Sequence, residues 1–253
     1  MTRAFFSAFL STLFSTQVLA QHIVKEHVDR ILVLAMDVSA SVTPERFEAQ
    51  IQGYRSAFED PSVIRTITIG PYGKVAVIVA QWSGWGQYQQ TTEWFVIRNH
   101  DDARAFANTV AATRQVFRGS TSIAGAILYS VNLIERAPYT ATRQIIDISG
   151  DGYDDGNNMP EGDQRRIEQN YRDSGQAIAP LSFARNDACK RGIIINGLSI
   201  AGAEDASDLE DYYWDHVVCG RDAFVVNVPQ PDDHEQFSIA IKKKIRLELT
   251  AGR

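Results

Sequence analysis

Three short segments, far apart in the chain, carry oxygen donors of the kinds that hold a hard divalent cation. They are Asp37-Val38-Ser39-Ala40-Ser41, Gly119-Ser120-Thr121 and Ser149-Gly150-Asp151-Gly152. Mg²⁺ takes about six oxygens in near-octahedral array and keeps several of them as waters. Asp37, Ser39 and Ser41 stand two apart, so their side chains share a face of extended chain, and a loop beyond the strand end curls them around one ion. Thr121 falls at a predicted helix start, with Gly119 freeing the backbone for close approach. Asp151, between two glycines, supplies a second carboxylate. The candidate ligands are therefore Asp37, Ser39, Ser41, Thr121 and Asp151, and the fitting cofactor is Mg²⁺ or Mn²⁺. So few negative charges leave a dication electrophilic toward one more carboxylate, brought by a partner.

Such a site requires elements that end at one place. The first segment follows Ile31-Leu32-Val33-Leu34-Ala35-Met36 and the third follows Ile145-Ile146-Asp147-Ile148. Both runs are short, apolar and free of Pro, as buried parallel strands are. Ligands of open α/β sheets bind outside the carboxyl ends of the strands, which puts both segments on one rim. Thr43, Pro44 and Glu45 read as N-cap, first helical position and acidic first turn of a helix whose buried face is Phe47, Ile51, Tyr54 and Phe58. Pro71-Tyr72-Gly73 turns the chain into a second strand, Lys74–Trp82. Gln90–Arg98 is predicted as a third, antiparallel to it through the Gly84–Gln87 turn. Helices are predicted over Asp101–Val116, Ile123–Glu135 and Gly162–Ala179, and strands over Gln144–Ser149, Ile193–Ile200 and Phe224–Val228. Asp232–Leu249 closes the chain as a helix with Phe237, Ile241 and Ile245 in one stripe. This alternation predicts an α/β, doubly wound, mostly parallel six-stranded sheet with one antiparallel edge strand and helices on both faces. No repeat or linker divides it, so residues 21–253 form one domain.

At 253 residues, 44% hydrophobic and 22% charged, the chain has the composition of a soluble globular protein with a sizeable core. A formal charge of −6 and a pI near 5.4 argue against a nucleic-acid partner. Residues 1–20 read as a secretory signal peptide: Arg3, the mainly apolar stretch from Ala4 to Phe14, then Val18-Leu19-Ala20 before Gln21. An N-terminal helix is the alternative. Cleavage after Ala20 takes one Arg and no acid from the charge, leaving −7. No later stretch is long and apolar enough to span a bilayer, so a periplasmic or secreted protein is expected. In an oxidising compartment Cys189 and Cys219 are expected to pair, with two buried free thiols as the alternative. Closing that loop of about 30 residues stabilises by roughly 3–4 kcal/mol on the chain-entropy model.

The three oxygen-bearing segments, in residue type, order and position relative to strands and helices, resemble a von Willebrand factor A-type domain with its metal-ion-dependent adhesion site. The resemblance runs from about Arg30 to Leu249. The leader and the Ser-Gly-Asp-Gly form of the third segment further resemble an exported bacterial group of such domains with no assigned role. The resemblance implies that Ser39, Ser41 and Thr121 touch the metal directly or nearly so. It implies that Asp37 and Asp151 act largely through ordered waters, and that a partner carboxylate fills the sixth position. Many relatives carry Thr or Ser immediately before the second Asp, where this chain has Gly150.

The expected function is therefore an exported, metal-dependent protein-binding module and not an enzyme. A metal-dependent hydrolase, for example a phosphoesterase, is the rival reading, and an assembly factor for exported complexes is a form of binding. A hydrolase needs a base or nucleophile beside the ion, and the sequence has no Asp-x-Asp, His-rich or Gly-x-Ser-x-Gly segment. Asp147 is the one extra carboxylate nearby, and strand alternation sends it away from Ile148. Trp82 and Trp85 flank a turn on the metal side, as contact residues or, for Trp82, as core. The run Asp154-Asp155-Gly156-Asn157-Asn158 reads as a solvated loop or a Ca²⁺ ligand source. The five histidines show no zinc spacing, and Lys242-Lys243-Lys244 reads as a solvated helix face.

Protein purified from its native host is expected to have the intact mass of residues 21–253 less two hydrogens. A mass that retains residues 1–20 contradicts the leader, and two thiols that alkylate without reductant contradict the bridge.

Overall fold

The structure is a computed structural model that describes residues 25–155, 179–201, 206–228 and 233–250. The leader, and the helix expected over Gly162–Ala179 apart from its last residue, lie outside the described residues. One short parallel pair (β1 with β6) and one large sheet account for the described strands: β1 (Glu26–His27), β2 (Arg30–Asp37), β3 (Val75–Trp82), β4 (Tyr88–Gln90), β5 (Phe95–Ile97), β6 (Tyr139–Thr140), β7 (Arg143–Gly150), β8 (Ile194–Ile200) and β9 (Val225–Val228). The helices are α1 (Pro44–Glu59), α2 (Pro61–Thr68), α3 (His100–Ala111), α4 (Ile123–Arg136), α5 (Leu181–Lys190), α6 (Ala206–Tyr212) and α7 (His234–Thr250), with a π-helical turn over Tyr213–Val217.

The large sheet runs β4-β3-β2-β7-β8-β9, with β5 also on the outer edge of β3. All pairings from β3 through β9 are parallel, and β4 and β5 are antiparallel to β3. Every residue of β2 and of β3 is buried, because helices cover both sheet faces. Alternation sorts the side chains cleanly. Leu32, Leu34, Met36, Val77, Val79 and Ile145 pack under α1, α2, α3 and α7. Ile31, Val33, Ala35, Ile78, Ile146 and Ile148 pack under α4, α5 and the π-helical turn.

The expected single edge strand is two strands, which makes the sheet seven-stranded. Between them Thr92 Oγ1 accepts from Val79 N (3.0 Å), and Thr91 N donates to Val79 O (2.9 Å), so a threonine side chain takes a place in the ladder and the strand breaks. The helix expected to reach Val116 ends at Ala111. Gln81, buried at the end of β3, donates to Arg114 O and accepts from Val116 N, drawing residues 114–116 out of helix and across the rim. α2 has no counterpart in the sequence reading. Asp60 caps its start through Ser62 N, and Pro61 occupies the first helical position. Cys189, in the last turn of α5, is bonded to Cys219, which bridges Ile195 of β8. The bond therefore ties the end of a helix to the edge of β8.

The largest correction concerns Lys244. Lys242 and Lys243 meet solvent, but Lys244 is buried beneath α7. Its Nζ lies 2.5 Å from Asp147 Oδ1 and 3.0 Å from Glu248 Oε1, over the ring of Phe224. Asn196 Nδ2 donates to Glu248 Oε2 at 2.7 Å. The run of three lysines masked the helical period: position 244 shares a stripe with Phe237, Ile241 and Glu248. Burial pushes the carboxyls of Asp147 and Glu248 upward against the pull of Lys244, Glu248 to about 7. One cation facing two acids in a dry place favours holding one proton between them.

Two outcomes follow. Lys244→Met leaves buried carboxylates without their cation and is expected to cost about 3–5 kcal/mol in denaturant unfolding, with Lys243→Met near zero. Between pH 4.5 and about 7 the folded protein holds a proton on Glu248 that the unfolded chain has released, so this group lowers stability as pH rises through that window. Glu248→Gln is therefore expected to gain stability relative to wild type as pH is raised across it. A difference that stays flat with pH contradicts the assignment.

Candidate metal centre

β2, β3 and β7 end level with one another: Asp37 pairs with Trp82 and Met36 with Ser149. Beyond those ends the chain has no further ladder partners, and the three oxygen-bearing loops fold over the rim. Val38 N bonds Trp82 O (2.9 Å) and Ala40 N bonds Gly119 O (2.8 Å), which ties the first loop to the second. Ser83 Oγ accepts from Gly119 N (2.8 Å) and donates to Ser120 O (3.0 Å), fixing the second loop to the end of β3. Gly119 packs closely against the side chains of Gln87 and Ser83. A Cβ there would sit 2.0 Å from Gln87 Oε1.

Four of the five expected residues form one chain of hydrogen bonds. Asp37 Oδ1 accepts from Ser39 N at 2.7 Å, Ser39 Oγ lies 3.0 Å from Ser41 Oγ, and Ser41 Oγ donates to Asp151 Oδ1 at 2.6 Å. Thr121 is the fifth. Its Oγ1 faces the third loop, 3.9 Å from the Cβ that Gly152 lacks, and its backbone N donates to Asp155 Oδ2 at 2.7 Å. Asp37 is fully buried, and its Oδ2 has no hydrogen-bond partner. Burial, and then the charge of Asp151, push its carboxyl up to about 7.

These features fit a hard dication. The donors are all oxygens, the charge of Asp151 bears on the buried Asp37 carboxylate at a cost that a cation would offset, and one carboxylate oxygen lacks a hydrogen-bond partner. Among the described residues no three His, Cys, Asp or Glu side chains cluster as a metal site, as expected of a set built mostly from hydroxyls.

Several contributors were not anticipated. Arg46, one turn into α1, brings its guanidinium to 3.5 Å from Asp151 Oδ2. Gln50, one turn further, is buried among apolar neighbours, donates to Asp37 O (3.4 Å) and meets Ser149 Oγ (3.4 Å). The helical period after Thr43 was the available signal, since residues 46 and 50 face the loop that precedes them. Asp154 and Asp155 are not a solvated pair. Asp154 is buried and accepts from Ala124 N (3.1 Å) at the start of α4, while Asp155 clamps Thr121 through both its N and its carboxylate. Gly156, Asn157 and Asn158 lie outside the described residues. Trp82 is core, 1% exposed, with Nε1 donating to Ala35 O. Trp85 is partly buried against the edge of Tyr88.

Tyr213 is a further unanticipated neighbour. It opens the π-helical turn, closed by Val218 N donating to Tyr213 O at 2.9 Å. Its ring lies over Gly197 of β8, and its hydroxyl reaches Gly150 of β7. Burial and the charges of Asp37 and Asp151 push the phenol well above its ordinary range, so it remains a donor.

A parallel sheet wound on both faces, with this rim at its carboxyl edge, is the von Willebrand factor A-type fold. Three solved structures share it: proximal thread matrix protein 1 from the mussel byssus, at TM-score 0.58 and 13% identity, covering 88% of this chain and 48% of that one; the vWF domain of the type V pili tip protein Mfa5 from Porphyromonas gingivalis, at 0.56 and 10%, covering 89% and 98%; and the byssus protein again with a zinc-occupied MIDAS motif, at 0.51 and 12%, covering 87% and 46%. The chain thus spans about half the length of the byssus protein. No protein with a curated description matches it in sequence. Residues 27–253 match the model of the family described as "Protein of unknown function (DUF1194)", and the chain belongs to that family.

Proposed function

We propose that this protein is an exported binding module in which Mg²⁺ or Mn²⁺, held by Asp37, Ser39, Ser41, Thr121 and Asp151, docks a carboxylate of a protein partner. The observation that carries the reading is the bare Oδ2 of Asp37. It is buried at the end of the central strand, beside hydroxyls already aligned by hydrogen bonds. A bound dication supplies an electrophilic point for the incoming carboxylate. The residues of the chain do the rest. Ser39 and Ser41 present neutral oxygens that leave the positive charge largely unquenched, Asp37 and Asp151 hold the site through charge, and Asp155 fixes the loop that carries Thr121.

The charge balance also fits. An acidic protein repels an acidic partner at long range, so attraction must come from a local positive centre. Zinc in the MIDAS motif of the byssus protein supports a divalent ion at the equivalent rim here. The structural relatives named for a pilus tip and a byssus matrix support binding outside the cell over catalysis. Among the described residues no helix is long and apolar enough to cross a membrane.

Envelope proteins of the native host captured on the immobilised domain in Mg²⁺ are expected to be released fully by chelator. They are expected to be absent when Asp151→Ala or Ser39→Ala is used as bait, while Lys243→Met captures as wild type does. Capture that survives both chelator and Asp151→Ala contradicts the reading and places the binding face elsewhere.

A further inference from the structure

Two fully buried polar atoms near the rim lack a hydrogen-bond partner, and both lie against Gly150. A Cβ built on Gly150 would lie 2.6 Å from Tyr213 Oη and 3.1 Å from Asp37 Oδ2, with Trp82 Cζ2 at 3.3 Å. Neither oxygen has another partner. The phenol is a donor and the carboxylate an acceptor, so the two atoms are chemically complementary. A side chain on Gly197 would also strike the ring, at 2.7 Å from Tyr213 Cδ1. Glycines on two adjacent strands therefore form a slot for one phenol, aimed at the metal rim. The π-helical turn sets its depth: Tyr213 is 0% exposed while the next residue, Trp214, is 45% exposed. Such turns concentrate at functional sites.

We propose that Tyr213 is a positioning residue of the metal centre, its hydroxyl the buried donor that faces Asp37 Oδ2 past Gly150. The contact holds the Asp37 carboxylate in the orientation that faces the cation, the outer-shell role that tunes affinity in metal sites. It also gives Gly150 a reason. A side-chain carbon at that position would collide with the phenol. The inference rests on the proposed metal site and adds to it a residue from a different element.

The test is Tyr213→Phe, which removes one oxygen and keeps the ring. Mg²⁺ and Mn²⁺ affinities are measured by calorimetry for wild type, Tyr213→Phe and Asp37→Ala, with thermal unfolding in chelator and in saturating metal. Tyr213→Phe is expected to bind at least about tenfold more weakly. In chelator it should melt close to the wild-type temperature, so that the loss is read in metal binding. A merely structural tyrosine would shift unfolding equally in both conditions and leave affinity unchanged. Tyr213→Phe at wild-type affinity, with Asp37→Ala no longer binding, overturns the role of Tyr213 alone. Asp37→Ala at wild-type affinity, or a wild type that binds no metal, overturns the site and this inference together.

Discussion

A carboxylate at the end of the central strand sits in the protein interior with one oxygen bound and the other bare. Asp37 Oδ1 is held by Ser39 N, and Oδ2 lies beside Gly150, close to the Tyr213 hydroxyl. Burying charge in this way is costly unless something opposite arrives. The sheet makes the burial unavoidable, because β2 is flanked on both sides and covered on both faces. The loops beyond it arrange every other rim oxygen with reference to that residue. Ser39 aligns Ser41, Ser41 aligns Asp151, and Asp155 brings Thr121 to the same edge.

A second polar layer runs down the opposite face of β7. Ser149 meets Gln50 beneath Asp37, and two residues earlier Asp147 meets Lys244 and Glu248. Strand alternation explains the division. Gly150 and Ile148 face the π-helical turn, while Ser149 and Asp147 lie toward α1 and α7. The rim is therefore backed by buried polar contacts on one face and by the phenol slot on the other. Polar networks of this kind define one arrangement of their elements more than they add stability.

The parallel strands and the amphipathic helices were legible because their apolar periods are long and uninterrupted: Ile31–Met36, Phe47 to Phe58, and Phe237 to Ile245. The five rim residues were legible as residue types placed just past strand ends. What stayed hidden has a common cause. Gln50, Asp154 and Lys244 are polar residues that look solvent-facing in sequence, and only tertiary partners remote along the chain bury them. Thr92 breaks the edge strand through a side-chain hydrogen bond that no local propensity reports. Tyr213 could not be placed at all from its neighbours, since the slot that receives it consists of two glycines on other elements. Gly150 read as a departure from a pattern; against Tyr213 it is a packing requirement.

Anomalous scattering from crystals of residues 21–253 soaked in Mn²⁺ tests the central claim most directly. The account predicts one strong peak at the rim, within coordination distance of Ser39 and Ser41 Oγ and facing the carboxylates of Asp37 and Asp151. It predicts loss of that peak in Asp37→Ala crystals of the same form. No peak at the rim in the wild type, or a peak that persists without the Asp37 carboxylate, would contradict it.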